Sequence, residues 1–340
     1  MASTIEDVAQ VAQVSTATVS RVLNQPHLVS IQTRRRVLDA MQLLDYKVNL
    51  AGRHLRTNRT RTAALLLPGL GSSVISRLVE GVEDAALAAK YALIMFSTRH
   101  DADREAAYID LITRHRLVDG VLCVSPCSSL ENMHCLENDG IPLVMCNGKL
   151  DGVASVLVNY SDLTYQATEY LLAWGHQRIL LLNWTVPSGE VPVTLHTITH
   201  MRQGGFRQAL AATQAVPQTL VVDDNTEWQA HLAHMLRSTD RPTAIIACCD
   251  KLALAVYAVC RGVGLRIPHD LSVIGCDDIL VAQYVDPPLT TIRVPAYKQG
   301  RLAMESLLQA MMGDAPEEPA VHLLKGELVL RDSCAPPQQL

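Results

Sequence analysis

Apolar residues recur three and four apart through the first 46 positions. Ile5, Val8, Ala9 and Ala12 fall on one helical face, Val19, Val22 and Leu23 on a second, and Val37, Leu38, Met41 and Leu44 on a third. Thr4, Ser15 and Ser30 precede these runs, and each is a residue type that caps a helix N-terminus. The spacing predicts helices near 5–12, 16–23 and 30–44, the first two joined by a three-residue turn. That is a helix-turn-helix. Residues 49–62, NLAGRHLRTNRTRT, are basic and poor in bulky apolar groups, and read as a linker with one or two helical turns.

The period changes at residue 63. Short apolar runs such as AALLLPG, ALIMFS, DGVLCVS, IPLVMCN, RILLLN, AIIACCD and LSVIGCDD alternate with amphipathic stretches of 12–18 residues. Continuous apolar strands between helices indicate parallel sheet covered on both faces. About ten such strands are expected, which is enough for two sheets. The fold class is therefore an all-α head followed by an α/β core of two parallel-sheet subdomains. The expected division is a helix-turn-helix domain over 1–47, a hinge over 48–61 and a core over 62–340.

Charge sharpens this division. The chain has 340 residues and net charge −5, yet residues 1–61 hold nine Lys or Arg against four Asp or Glu. The head is thus +5 and the rest −10. A basic head on an acidic body points to a polyanionic partner for the head. No apolar run reaches the length of a membrane span, and MASTIEDVAQ lacks the features of a secretory signal, so the expected location is the cytoplasm. Nine cysteines lie at irregular spacings, mostly in apolar runs, and read as buried free thiols with no metal site. Hydrolase, P-loop, dinucleotide and zincin motifs are absent, so neither an enzyme nor a cofactor is expected.

The stretch VSTATVSRVLN, 14–24, crowds small hydroxyl side chains around Arg21. A helix entering the major groove must approach the bases closely, and small polar side chains permit that. Arginine can bond guanine O6 and N7 together. Thr16, Ala17 and Arg21 therefore stand as base-reading candidates.

These residues carry a resemblance. The stretch TIEDVAQVAQVSTATVSRVLNQPHLVSIQTRRRVLDAMQLLDY resembles the DNA-binding head of the lac repressor/galactose repressor family of bacterial transcription regulators. Further landmarks extend the resemblance over the chain: DG at 119–120, GHQRI at 175–179, Arg202 to Phe206, Asp250 to Ala253, LRIPHDLSVIGCDD at 265–278 and PPLTTI at 287–292. The resemblance implies a core like a periplasmic binding protein, with an N-subdomain of about 62–160 and 291–322 and a C-subdomain of about 161–290 and 323–332. The chain would cross between them near Asn159–Ser161, Leu289–Ile292 and Val321–Leu324. It also implies a homodimer on a near-palindromic operator, gated by a small molecule in the cleft, most often as a repressor. The tail after Arg331 has no leucine heptads for a tetramer.

By the same resemblance Thr16, Ala17 and Arg21 read bases, while Thr4, Ser15, Ser20, Asn24 and Thr33 contact phosphate. Leu55 wedges into the minor groove. Ser125, Asn147, Arg202 and Asp277 bind the effector. The hinge departs from the family pattern at Val48 and Gly52, which implies a hinge helix that folds only on DNA. The pocket departs too. Val74 and Ile75 replace the usual aromatics of the first core helix, Trp228 and Asp223 flank the place of a stacking aromatic, and Cys249 replaces the Asn before Asp250. Such a cleft favours a sugar or sugar derivative over a flat base, with Trp184 as a sugar platform. The octamer VSTATVSR resembles that of a nucleoside-responsive member, so the alternative is a nucleoside effector or action without any effector, with a cytoplasmic α/β enzyme as the distant alternative. The segment 183–200 is longer than usual, and reads either as part of the pocket or as a surface loop.

Overall fold

The computed structural model describes residues 3–46, 59–124, 130–184, 193–213, 215, 217–222, 227–314 and 318–338. It divides into two compact units, up to Arg59 and from Thr60 onward.

The head holds α1 (Ile5–Val11), α2 (Thr16–Asn24) and α3 (Ile31–Leu43). Each begins where a hydroxyl side chain can accept from an otherwise orphaned amide. Thr4 accepts from the Asp7 amide, and the Asp7 carboxylate accepts from Thr4 in return, closing a capping box. Ser15 and Ser30 accept from the Thr18 and Thr33 amides, each at 3.2 Å. Val8, Ala9, Ala12, Val19, Val22, Val37 and Ala40 meet in one small core. Gln13 turns the chain between α1 and α2 with φ at 52°. The Arg36 guanidinium, reaching across from α3, donates to the carbonyls of Ala12 and Gln13 at 2.5 and 3.0 Å.

The second unit contains two six-stranded sheets. The first joins β1 (Thr62–Leu67), β2 (Ala92–Ser97), β3 (Gly120–Val124), β4 (Leu143–Cys146) and β5 (Ala154–Val158) with β11 (Val321–Leu324), in the order β11-β5-β4-β3-β1-β2, all parallel. The helices α4 (Ser73–Ala88), α5 (Ala102–His115) and α6 (Leu130–Asn138) connect its early strands. The second sheet joins β6 (Ile179–Trp184), β7 (Gln218–Val222), β8 (Ala244–Ala247), β9 (Ser272–Cys276), β10 (Thr290–Arg293) and β12 (Glu327–Val329), in the order β12-β10-β9-β8-β6-β7. Its pairings are parallel except β10 with β12. Its helices are α7 (Tyr160–Ala173), α8 (Val193–Leu210), α9 (Trp228–Arg237) and α10 (Asp250–Val263). Strands buried on both faces explain the unbroken apolar runs, for example Ala63 to Leu67.

The last long helix, α11 (Ala296–Met312), returns to the first sheet and packs on α4. A Cβ at Gly81 would stand 2.0 Å from the Tyr297 carbonyl oxygen, and one at Gly300 2.0 Å from that of Leu78. The two backbones therefore touch directly.

Two crossings lie later than expected. β10 belongs wholly to the second sheet and β11 wholly to the first. The chain crosses after Arg293 and after Leu324, not within Leu289–Ile292 or Val321–Leu324. Residues 291–293 thus pair in the second sheet and 323–324 in the first, the reverse of the expected division. The physical reason is that strand pairing continues to Arg293 and to Leu324, and stops near Pro295, which lacks an amide donor, and near Gly326. Beyond Val158, the last residue of β5, α7 begins at Tyr160, whose ring lies in the second subdomain's core.

Candidate DNA-reading face and effector cleft

The α2 helix has two unlike faces. Val19 and Val22 are buried in the head core, whereas Thr16, Ala17 and Arg21 are exposed. The three base-reading candidates therefore share a free surface held by a fixed core. Of the phosphate-contact candidates, Thr4 and Ser15 serve as helix caps, and Thr33 accepts the Ser30 hydroxyl at 2.9 Å. Ser15 and Thr18 share a hydroxyl–hydroxyl bond of 3.0 Å. The structural role of these hydroxyls is thus concrete, and each keeps further hydrogen-bonding capacity. Ser20 is half-buried and Asn24 ends α2. Leu55, with Val48 and Gly52, lies outside the described residues. Sequence reasoning counted Arg36 only as charge; its clamp on the α1–α2 turn needs the folded head to be seen.

In the second unit, the parallel strands of the second sheet end at one edge, the usual ligand edge of an open α/β sheet. β8 ends beside Cys248, Cys249 and Asp250, and β9 runs into Asp277 and Asp278. Arg202 arrives from α8 and lies 4.6 Å above the Tyr160 ring. Its charge acts on Cys248, Cys276, Tyr160 and Asp277. Among the described residues no carboxylate lies within 4.0 Å of Arg202, so it and Asp277 do not form a structural bridge. Dehydration pushes the Asp277 carboxyl well above its ordinary range, with the nearby Cys249 and Asp250 adding to the rise. Asp277 adopts φ 119°, and its amide donates to the Ile292 carbonyl at 2.7 Å.

Asn147 follows β4 in the other subdomain, with φ at 57°. Its side-chain oxygen accepts from Gln299, which also donates to the Val156 carbonyl. The Asn147 amide nitrogen and the second lone pair of its oxygen remain for a ligand. Val74 packs against the cores of both subdomains, which puts the N-terminus of α4 at their junction. Ser125 and Asp223 lie outside the described residues.

Other expectations resolve differently. Trp228 opens α9 and is buried among Leu232, Leu236 and Val222, so it is a core residue. Trp184 is half-buried at the end of β6, and the Lys251 ammonium sits 5.8 Å over its ring. In the long segment after it, residues from Val193 onward are helical and form the first half of α8. Asp250 is fully buried, accepting from the Ile279 amide and the Thr291 hydroxyl. Burial pushes its carboxyl up to about 6. The Cys249 thiol is lowered to about 6 by the Cys248 thiol, then by the Leu252 amide, Trp184 and Arg202, against desolvation. Among the described cysteines, Cys123, Cys146, Cys248, Cys260 and Cys276 are buried and in no disulfide. Among the described residues no group of three His, Cys, Asp or Glu could hold a metal, and no helix is long and apolar enough to cross a membrane. An open depression of about 360 Å³, lined by Leu180, Gln218, His231, Met235 and Arg241 among others, lies away from these residues.

Residues 4–49 match the family of bacterial regulatory proteins named for lacI, and residues 168–334 match a periplasmic binding protein-like domain. The chain is 33% identical over 338 residues to the transcriptional repressor PurR of Vibrio cholerae, covering 97% of this chain and 98% of that one. It is equally 33% identical over 342 residues to the repressor CytR of Escherichia coli strain K12, covering 98% and 96%. Among solved structures, the lac repressor dimer bound to operator and an anti-inducer superposes with a TM-score of 0.82 at 26% identity, covering 98% of this chain and 100% of that one. The regulator CelR in complex with cellobiose gives 0.68 at 28% identity, covering 97% and 99%. A basic three-helix head with a free recognition face, two doubly covered parallel sheets and these full-length likenesses converge: the chain belongs to the lacI family of DNA-binding transcriptional regulators.

Proposed function

We propose that this protein is a homodimeric repressor that binds a near-palindromic operator and is gated by a sugar or sugar derivative in the cleft of its core. The observation that carries the reading is the α2 helix, whose Val19 and Val22 are locked in the core while Thr16, Ala17 and Arg21 face outward. Thr16 and Arg21 read base edges, and Ala17 offers a methyl contact. Thr4, Ser15, Ser20, Asn24 and Thr33 position the head on phosphates. Leu55 enters the minor groove and opens a flexible base step. The exposed Leu87, Ile94 and Met95 of the first subdomain, with Leu280, Val281 and Tyr284 of the second, supply apolar surface for a dimer. The protein works by binding and needs no catalysis, cofactor or membrane, and it acts in the cytoplasm.

Arg202 and Asp277, with Asn147 and Ser125, hold the effector. A regulator of this family solved with bound ribose, and the cellobiose complex, favour a carbohydrate. The effector alters the angle between subdomains and so the spacing of the hinges. A coupling of about 1–3 kcal/mol changes operator affinity about 5–150-fold.

The test is fluorescence anisotropy on a labelled palindrome. Between 50 and 200 mM salt, affinity falls about 10³–10⁵-fold for 6–10 phosphate contacts. Arg21→Ala costs about 1–3 kcal/mol and relaxes preference at one base pair. Gly52→Ala tightens binding by stabilising the hinge helix. A flat salt response refutes the reading.

A further inference from the structure

Asn183 is fully buried, and among the described residues neither its amide nitrogen nor its amide oxygen has a hydrogen-bond partner. Two unpaired buried polar atoms are costly, and nearly all such atoms in folded proteins are satisfied. The rest of the strand before it, Ile179 to Leu182, is apolar and buried. An apolar residue at 183 would suit the ligand-free fold better. No described residue supplies the partner that this amide calls for.

Its position says which. Leu182 pairs level with Ala247, and Ile246 with Ile274. Carried one residue past Leu182 and Ala247 and two past Ile274, this register sets Asn183, Cys248 and Cys276 in a row across the ligand edge of the sheet. Asn183 shares its face with Ile179 and Leu181, which pack under α7 and α8. Arg202 descends from α8 onto that row, acting on Cys248 and Cys276. Asn183 stands on the strand next to β8, and the guanidinium acts on the two residues that complete its row. That guanidinium has five donors and, among the described residues, no carboxylate within reach. It lies over the Tyr160 face.

We propose that Asn183 and Arg202 form one anion subsite and that the effector is a sugar acid, with a carboxylate beside a hydroxyl. This rests on reading the cleft as the effector site. The carboxylate accepts from the Arg202 guanidinium and from Asn183 Nδ2. The neighbouring hydroxyl donates to Asn183 Oδ1. One ligand charge balances one buried guanidinium; a phosphate, near −2, would leave an uncompensated charge next to Asp277.

The experiment has two readouts on the full-length protein. In thermal unfolding without ligand, Asn183→Ala or Asn183→Leu raises Tm, by about 2–8 °C for a relieved polar pair. A fall in Tm for both variants shows that the amide serves the fold, and overturns the proposal. In calorimetry, gluconate, galacturonate and glucuronate are compared with glucose, galactose and glucose 6-phosphate. An acid binding at least tenfold tighter than its neutral sugar, and weakened at least tenfold by Asn183→Ala, supports the subsite. A neutral sugar or the phosphate binding tightest overturns the sugar acid but leaves a carbohydrate effector standing. Binding of none overturns the sugar acid and the carbohydrate reading together.

Discussion

Gly204 and Gly205 are neighbours on α8 and respond oppositely to the same methyl group. A Cβ on Gly205 would lie 1.9 Å from the Ser161 carbonyl oxygen and 2.7 Å from its carbon, both backbone atoms of α7. Ordinary contact begins near 3.4 Å, so the two helices must part by about 1.5 Å. Overpacking of this kind costs about 3 kcal/mol where no side chain can yield. The helix gains about 1 kcal/mol on losing a glycine, so the net loss is about 2 kcal/mol. On Gly204 a Cβ meets only Ser161 Oγ at 3.9 Å, and the propensity gain stands alone. The assay is thermal and urea unfolding followed by circular dichroism. Gly205→Ala lowers Tm by about 4–8 °C, while Gly204→Ala raises it by about 1–4 °C. Arg202 lies one turn before Gly205, so the first variant also pulls the guanidinium off Tyr160 and weakens effector binding. If Gly205→Ala matches or exceeds wild type, the direct backbone contact between α7 and α8 is refuted.

Three further outcomes follow. Asp250 holds its proton up to about 6 in the fold, against 3.8 ordinarily; the folded state binds this proton more tightly, so its contribution is present below pH 4 and lost as pH rises through 6. Wild type should therefore lose up to about 3 kcal/mol across pH 4–6 relative to Asp250→Asn, measured by urea unfolding at each pH. Arg36→Ala releases the carbonyls of Ala12 and Gln13 and costs the head about 1–2 kcal/mol, read as earlier loss of operator binding on heating. Gly300→Ala drives a Cβ to 2.0 Å from the Leu78 carbonyl and should lower Tm by several degrees, whereas the exposed Gly262→Ala, with nothing within 4 Å, should raise it; equal shifts would refute the close packing of α4 on α11.

The sequence by itself determined the elements and their inward faces. Ser15 and Ser30 announce helix starts because capping joins residues three apart, and Val19 with Val22 face inward because helical period is a local property. Unbroken apolar runs announce strands because sheets covered on both faces leave no polar side. Arg202 and Asp277 stand out as candidates through the family resemblance of their motifs. Tertiary structure alone decided the rest. Which sheet takes residues 290–293 and 321–324 depends on pairing with strands more than a hundred residues away in one case, and no local pattern carries that choice. Arg36 is a turn clamp only once α3 crosses the α1–α2 turn. Trp228 belongs to a core that β6, β8 and α10 complete from elsewhere in the chain. Asn183 reads as an ordinary strand-end polar residue until the fold closes over it and leaves its amide without a partner among the described residues. Burial and partnership are sums over the whole chain, and residues distant in sequence supply most of each sum.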